Sequence, residues 1–414
     1  MQSYWRFNKV GQGCFYTGTI KVDEQHVFNF IYDCGTLSER QFIRGEIRCL
    51  KLLQLGSEYK LDVLTLSHLD ADHVNMCKEL LDSGVHCKRA ILPYLSLVER
   101  LMVFLKQPQI AYTNDYISFC EDPVTYLKGL GVQEIILIQG SEEPLAADNP
   151  LEERPEEEGQ NDGGLYSDDF VSISQNQLNP EQTLLSQVSG VRICRDMGRI
   201  KVDSEWEFFY YNKRMARFNI ESFKAFLEKE LSVEIDSAGL DDSQIRGLFR
   251  LPADKLTAIK KEFKKKFKNL NSTGLTVLHG PVRGEWEYGR TRRRIGFYRH
   301  EVRCRGQLGK GLGKTLLNGD INLSDINYPK EIQENLQNTI VFQVPHHGAK
   351  RNWNAAPISN LYRSQMVINF GWGNRFGHPG LPVIADIKNR WGWKKRMNTQ
   401  KKSFSYLIDR IDFS

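Results

Sequence analysis

The stretch Leu61-Asp-Val-Leu-Thr-Leu-Ser-His-Leu-Asp-Ala-Asp-His73 sets the fold class through its order of residue types. Leu61 to Ser67 is a short apolar run rich in strand formers, the pattern of a buried strand. His68, Asp70, Asp72 and His73 then place four metal-binding side chains within six residues. In extended chain His68, Asp70 and Asp72 alternate and fan out around a point past the strand's carboxyl end, where α/β proteins place their ligands. Imidazole nitrogens and carboxylate oxygens are the donor set for zinc or for harder divalent ions. From His73 to Ser83, the spacing of Val74, Met76, Cys77, Leu80 and Leu81 predicts a helix stopped by Gly84.

Outward from this unit the chain reads as mixed α/β. Strands are expected at Phe28–Gly35, which ends in a sharp turn, and at Ala90–Leu95 and Gln133–Gln139. Later strands are expected at Gly274–His279, Lys314–Asn318, Ile340–Val344, Met366–Phe370 and Phe404–Asp409. Three of these run into further potential ligands: Leu317-Asn-Gly-Asp320, Val344-Pro-His346-His347-Gly348, and Gly373-Asn-Arg375-Phe-Gly377-His378-Pro379. Counting His279, six of the nine histidines lie at strand ends or in these motifs, more order than scattered surface histidines would show.

The composition shifts in the middle. Residues 141–169 hold eleven acidic residues against one basic, and 170–190 are rich in Ser, Gln and Asn, so 141–190 reads as an acidic linker or mobile insertion. Residues 191–270 read as an α-rich basic insertion, with helices expected at Phe218–Leu231 and at the lysine-rich Ala253–Leu270, which carries Lys264 and Lys265. Residues 283–305 carry eight arginines, among them Arg290, Arg292, Arg293 and Arg294, beside Trp286, Tyr288, Phe297 and Tyr298. Basic residues interleaved with aromatics suit a phosphate backbone with stackable bases; a solvated basic face, or a partner for the chain's own acidic linker, is the plainer alternative.

At 414 residues, 40% apolar and 26% charged, the chain can bury a large core, and its net charge is +5. No apolar run is long enough for a membrane helix and no signal peptide is evident, so no membrane partner is expected. Eight scattered cysteines without a Cys-x-x-Cys pair argue against a disulfide framework or a thiolate zinc site and fit a reducing cytoplasm. Gly309-Lys-Gly-Leu-Gly-Lys-Thr315 resembles a phosphate-cradling loop but has leucine at 308, where such a loop needs glycine, and a strand after it instead of a helix.

Taken together, His68-x-Asp70-x-Asp72-His73, then Gly319-Asp320, then Pro345-His346-His347-Gly348, then Gly377-His378-Pro379 resemble the metallo-β-lactamase fold superfamily. The chain is most similar to the hydrolase domain of bacterial DNA-uptake channel proteins (ComEC type). The likeness extends to Val10–Gly13, Tyr32–Gly35 and Asn271–Leu275 and covers roughly 1–95 and 271–414. It implies an αββα four-layer sandwich whose halves are 1–140 and 271–414, and one or two divalent ions, zinc or manganese. By motif, His68 and Asp70 would hold one ion and Asp72 and His73 the other. Asp320 would bridge them, His346 or His347 would add a ligand, His378 would touch metal or substrate, and Asp33 would orient a ligand. Asp70 stands where many members have histidine, which favours oxygen-loving ions. Ala349 replaces a usual serine, and the histidine that many members place mid-chain has no clear counterpart, His279 being a candidate for it.

The expected activity is phosphodiester hydrolysis of DNA or RNA by a metal-bound hydroxide, with Asp72, His378 and Arg375 as catalytic residues. Hydrolysis of a small ester (a lactone, thioester or phosphocholine-type diester) is the alternative enzyme. A catalytically decayed binding or sensor subunit of a defence system is the non-enzymatic alternative. A role in antiviral defence, with a partner protein docking on the insertion or the acidic linker, is compatible with such a chain.

Overall fold

Along Trp206–Lys213, the side chains of Trp206, Phe208 and Tyr210 enter one apolar core while those of Phe209 and Tyr211 enter another. This two-residue alternation, repeated in other strands, builds a structure with apolar layers on both sides of its sheets. The computed structural model describes residues 1–52, 59–141, 165–214, 217–231, 242–267, 274–282, 284–293, 300–308, 313–392 and 395–411.

In chain order the strands are β1 (Gln2–Phe7), β2 (Tyr16–Lys21), β3 (Val27–Tyr32), β4 (Tyr59–Thr65), β5 (Val85–Tyr94), β6 (Glu134–Gln139), β7 (Tyr166–Asp168), β8 (Val191–Cys194) and β9 (Met197–Val202). There follow β10 (Trp206–Lys213), β11 (Gly274–Pro281), β12 (Trp286–Arg293), β13 (His300–Leu308), β14 (Lys314–Leu317), β15 (Thr339–Gln343), β16 (Gln365–Asn369), β17 (Lys395–Asn398) and β18 (Phe404–Arg410). They form two mixed sheets, in the orders β13-β12-β18-β1-β2-β3-β4-β5-β6-β8 and β17-β16-β15-β14-β11-β10-β9-β7. The run from β3 through β6 to β8 is parallel, as is β14 to β17.

Trp5, Tyr16 and Phe30 of the first sheet and Phe208, Leu275 and Val277 of the second share one core. Trp5 stacks on Trp206 with ring centroids 5.4 Å apart. Gly18 makes room for this pair, since a Cβ there would lie 1.9 Å from the Trp5 ring. On its other face the first sheet shares an apolar core with the helices Arg40–Leu52, Leu97–Lys106 and Asn114–Glu121, and with Arg217–Leu231, Asp242–Phe249 and Ala253–Lys266, which pack on Leu97–Lys106. The second sheet's outer face carries Lys330–Asn335 and Leu381–Trp391. The chain is thus α/β, and its parallel strands bring several carboxyl ends to common edges.

The structure corrects several expectations. The helix expected over His73–Ser83 is two short helices, Ala71–Val74 and Cys77–Leu81. The break falls at Asn75, whose amide exchanges hydrogen bonds with the Thr36 backbone at 2.8 and 3.0 Å, tying the chain to a neighbouring loop. The α-rich segment expected over 191–270 is helical only from Arg217 onward; residues 191–213 hold β8, β9 and β10, which extend both sheets. Short strands dense in aromatics, such as Trp206–Lys213, gain their burial from long-range pairing that local spacing does not display. Of the stretch 141–190, residues 142–164 lie outside the described residues. The remainder includes β7 and a helix, Pro180–Ser186, capped by Asn179 and Gln182. Asp168 of β7 pairs with Arg89 and Arg192 at 3.0 Å, which anchors this polar segment. Among the described residues no helix is long and apolar enough to cross a membrane, and Cys14, Cys34, Cys77, Cys87, Cys120 and Cys194 are buried thiols outside any disulfide.

Candidate metal centre

Five loops at strand ends build the site. Asp33 follows β3, residues 68–73 follow β4, Asp320 follows β14, His346 and His347 follow β15, and His378 lies beyond β16. The loop after β3 is pressed against the ligand loop. The Cys34 amide donates to the His73 carbonyl at 2.7 Å and the Cys14 amide to the Asp72 carbonyl at 3.1 Å. Gly35 permits this approach, since a Cβ there would fall 2.5 Å from the His73 nitrogen. After β15, His346, His347 and Gly348 adopt successive positive φ values of 50°, 54° and 77°, which turn both imidazoles toward Asp320.

Three buried imidazoles are held by Nδ1 and converge through Nε2. His73 Nδ1–H donates to Asp33 Oδ2 at 2.7 Å. His68 Nδ1–H donates to the Ser67 hydroxyl at 2.8 Å, and that hydroxyl donates to Asp33 Oδ2 at 2.7 Å. His347 Nδ1–H donates to the Asn369 carbonyl at 2.9 Å. Their Nε2 atoms face carboxylates: His73 at 3.3 Å and His68 at 3.8 Å from Asp320, and His347 at 3.0 Å from Asp72 and 3.8 Å from Asp320. Bonds of about 2.0–2.2 Å at tetrahedral angles place ligand atoms roughly 3.3–3.6 Å apart, so these separations suit a shared cation. Among the described residues three triads meet the distance requirement, all sharing His73, and two of them, His68–His73–Asp320 and Asp72–His73–His347, consist of imidazoles and carboxylates alone.

The environment of these groups fits a cation. The Nε2 atoms of His68 and His73 and Oδ1 of Asp70 are buried without a hydrogen bond. Burial alone would keep His73 and His347 neutral, yet Asp33 and Asp320 hold His73 well above the ordinary imidazole value, and Asp320 and Asp72 raise His347. His346, His347 and His73 hold Asp320 well below the usual carboxylate range against its burial. Asp72, also buried, is brought down to about 2, chiefly by its hydrogen bond from His347. Carboxylates that keep protons on neighbouring imidazoles form a site where a divalent ion can take the place of those protons. A third triad, Cys14–Asp33–His73, suits a cation poorly: burial and Asp33 push the Cys14 thiol well up, and only a thiolate is a ligand.

The expected residues differ in how they join this cluster. Asp33, His68, Asp72, His73, Asp320 and His347 meet within it. His346 also faces Asp320, with Nδ1 3.5 Å from Oδ2. Asp70 stands at the edge, 3.9 Å from His68 Nε2, and its Oδ2 is held at 3.3 Å by the ammonium of Lys106. His378 is half-buried with its ring 5.9 Å from that of His346; burial, then His347 and His346, bring it down to about 4, so it is neutral at pH 7. Arg375 is exposed on the same loop, and no hydrogen bond or ion pair among the described residues ties it to the cluster. His279 is not at the site: it is fully buried between the sheets, against Trp5 at 4.2 Å and hydrogen-bonded to the Tyr16 hydroxyl. Lys264 and Lys265 are exposed on the helix Ala253–Lys266; the side chains of Arg290, Arg292 and Arg293, and all of Arg294, lie outside the described residues.

Sequence reasoning missed Lys106, Ser67 and the exposed aromatics Trp372 (63% exposed) and Phe376 (47%), of which Phe376 stacks on His378 with ring centroids 6.0 Å apart. The aromatic pair had a readable signal, two large apolar residues in a glycine-rich loop. Lys106 had none, because it reaches Asp70 from the end of a helix 36 residues away in sequence. No protein-family model matches the chain, and a search of curated proteins gave no match.

Proposed function

We propose that this chain is a metal-dependent hydrolase of the metallo-β-lactamase type, its two sheets and outer helices forming that superfamily's αββα sandwich, and that it cleaves phosphodiesters of DNA or RNA. The convergence of three imidazole Nε2 atoms with Asp72 and Asp320 carries this reading. His68, His73, Asp320, Asp72 and His347 would hold one or two divalent ions, zinc or manganese, with Asp33 and Ser67 fixing which imidazole nitrogens face inward. A divalent ion bound there would supply Lewis acidity, polarising a phosphoryl oxygen and acidifying water.

The chain's own residues complete the reading. The half-buried Lys106 ammonium, kept charged by Asp70 and Asp320, would offset charge on the phosphoryl oxygens. His378, held neutral, would contact the substrate as a hydrogen-bond partner, and Arg375 would reach the strand from the exposed loop. Trp372 and Phe376 offer faces for unstacked bases, which favours single-stranded substrate.

Metal content by mass spectrometry on freshly purified protein, with Mn-, Zn- and Mg-dependent assays on single- and double-stranded DNA and RNA, tests the proposal. Asp72→Ala and Asp320→Ala should each lower turnover at least about 1,000-fold, since each removes a ligand charge from the reacting centre. Unchanged turnover in either would refute the scheme. Turnover of a lactone panel without nucleic-acid cleavage would move the assignment to a small ester.

A further inference from the structure

The basic helix Ala253–Lys266 packs on the helix Leu97–Lys106. Between it and the turn Gln109–Ala111 lies a cavity of about 220 Å³ lined by Gln109, Tyr112, Leu256, Thr257, Lys260 and Lys264. A water molecule takes about 30 Å³ of liquid, so the space admits a small polyatomic anion. Among the described residues no acidic one lines it.

Lys260 is the unusual member of this lining. It is only 9% exposed, and among the described residues its ammonium makes no hydrogen bond and no ion pair. Its Nζ sits 4.2 Å from the centre of the Tyr112 ring. That ring is fixed, stacked on Phe104 at 4.4 Å with its hydroxyl donating to the Phe104 carbonyl at 2.9 Å. Its stem is buried while the ammonium stays open to the cavity, and a cation over a ring is only partly compensated. Lys264, which also lines the cavity, adds like-charge repulsion; burial and this neighbour bring Lys260 down to about 8. Two ammoniums and an amide around an acid-free cavity form a receptor for a small, highly charged anion.

We propose that this cavity is a phosphate-binding site in which the Lys260 ammonium pairs with the phosphate oxygens, assisted by Lys264 and the Gln109 amide. Its place in the chain bears on what brings the phosphate there. Gln109 is three residues beyond Lys106, which contacts Asp70, so their Cα atoms are at most about 11 Å apart. A strand with its scissile bond at the cluster would therefore carry a neighbouring backbone phosphate past the cavity. Assigning the phosphate to a strand rests on the proposed activity; the phosphate site itself does not.

Calorimetry with inorganic phosphate at low ionic strength, on the full chain as purified, tests the site. Lys260→Met should weaken phosphate binding at least about tenfold. It should leave metal content unchanged and keep or raise Tm without phosphate, because it removes a partly desolvated charge that Lys264 repels. Lys264→Gln, at an exposed position, should weaken binding several-fold with no change in Tm. Wild-type phosphate affinity in both variants would overturn the proposal.

A second arm follows a phosphorothioate oligothymidylate by fluorescence anisotropy across a salt series. If the ligand is a strand phosphate, Lys260→Met should reduce the slope of log K against log salt by about 0.7. An unchanged slope with phosphate binding lost would overturn the strand assignment and leave a site for free phosphate. No oligonucleotide binding by the wild type would defeat the nuclease reading, while the phosphate arm still decides the cavity.

Discussion

Asp33 does more for the centre than any other residue outside the converging set. Its two oxygens accept from the Ser67 amide at 2.6 Å, the Ser67 hydroxyl and His73 Nδ1, and it does so from a positive φ of 59°. It thereby fixes the ring of His73 directly and that of His68 through Ser67. Asp33→Asn preserves volume but removes the charge and one acceptor, so divalent-metal affinity measured by chelator competition should fall about 10–100-fold. Wild-type affinity in this variant would mean that the imidazoles orient without it. The ligand loop was legible in the sequence because its donors follow one strand within six residues. His279 could not be placed from sequence for a physical reason: it lies on a strand whose side chains enter the aromatic inter-sheet core, and one imidazole reads the same there as at a metal.

Strands were legible where apolar runs end in turn residues and obscure where pairing is distant. Leu61–Ser67 and Ile340–Val344 were found within two residues of their observed bounds, whereas β8, β9 and β10 were hidden in a segment whose later part is helical. Sequence also placed a charge inside the sheet without marking its consequence. Asp62 of β4 accepts from the Asn29 backbone amide of β3 at 2.7 Å, and burial pushes its carboxyl up to about 6, against the opposing pull of that hydrogen bond and then of Lys88 and Lys60. The folded pKa thus lies above the unfolded value near 3.9, so folding favours the protonated form. Its contribution is fully present below about pH 4 and lost as pH rises to about 6. Asp62→Asn keeps the acceptor and carries no charge. The variant should match the wild type near pH 4 and exceed it by about 1–2 kcal/mol at pH 7–8 in denaturant unfolding. An equal difference at both pH values would show that Asp62 is not the group responsible.

For the whole molecule, the centre joins the two sheets. Asp33, His68, Asp72 and His73 extend from the first, and Asp320, His346 and His347 from the second, so one ion would draw ligands from both. Such an ion acts as a cross-link that the unfolded chain cannot reproduce, contributing about 2.7 kcal/mol when free metal is 100 times Kd. The contribution is also linked to protons. Neighbouring carboxylates hold His73 and His347 above their ordinary value, so without metal these imidazoles keep their protons into the neutral range. Binding displaces those protons, so affinity rises with pH, and metal stabilisation should grow from pH 6 to pH 8. Thermal unfolding with and without a chelator at pH 6, 7 and 8 measures this directly. The chelator-induced drop in Tm should be largest at pH 8 and smallest at pH 6. A drop that shrinks as pH rises would mean that the ion does not compete with protons for these histidines, and no drop at any pH would remove the metal link between the sheets.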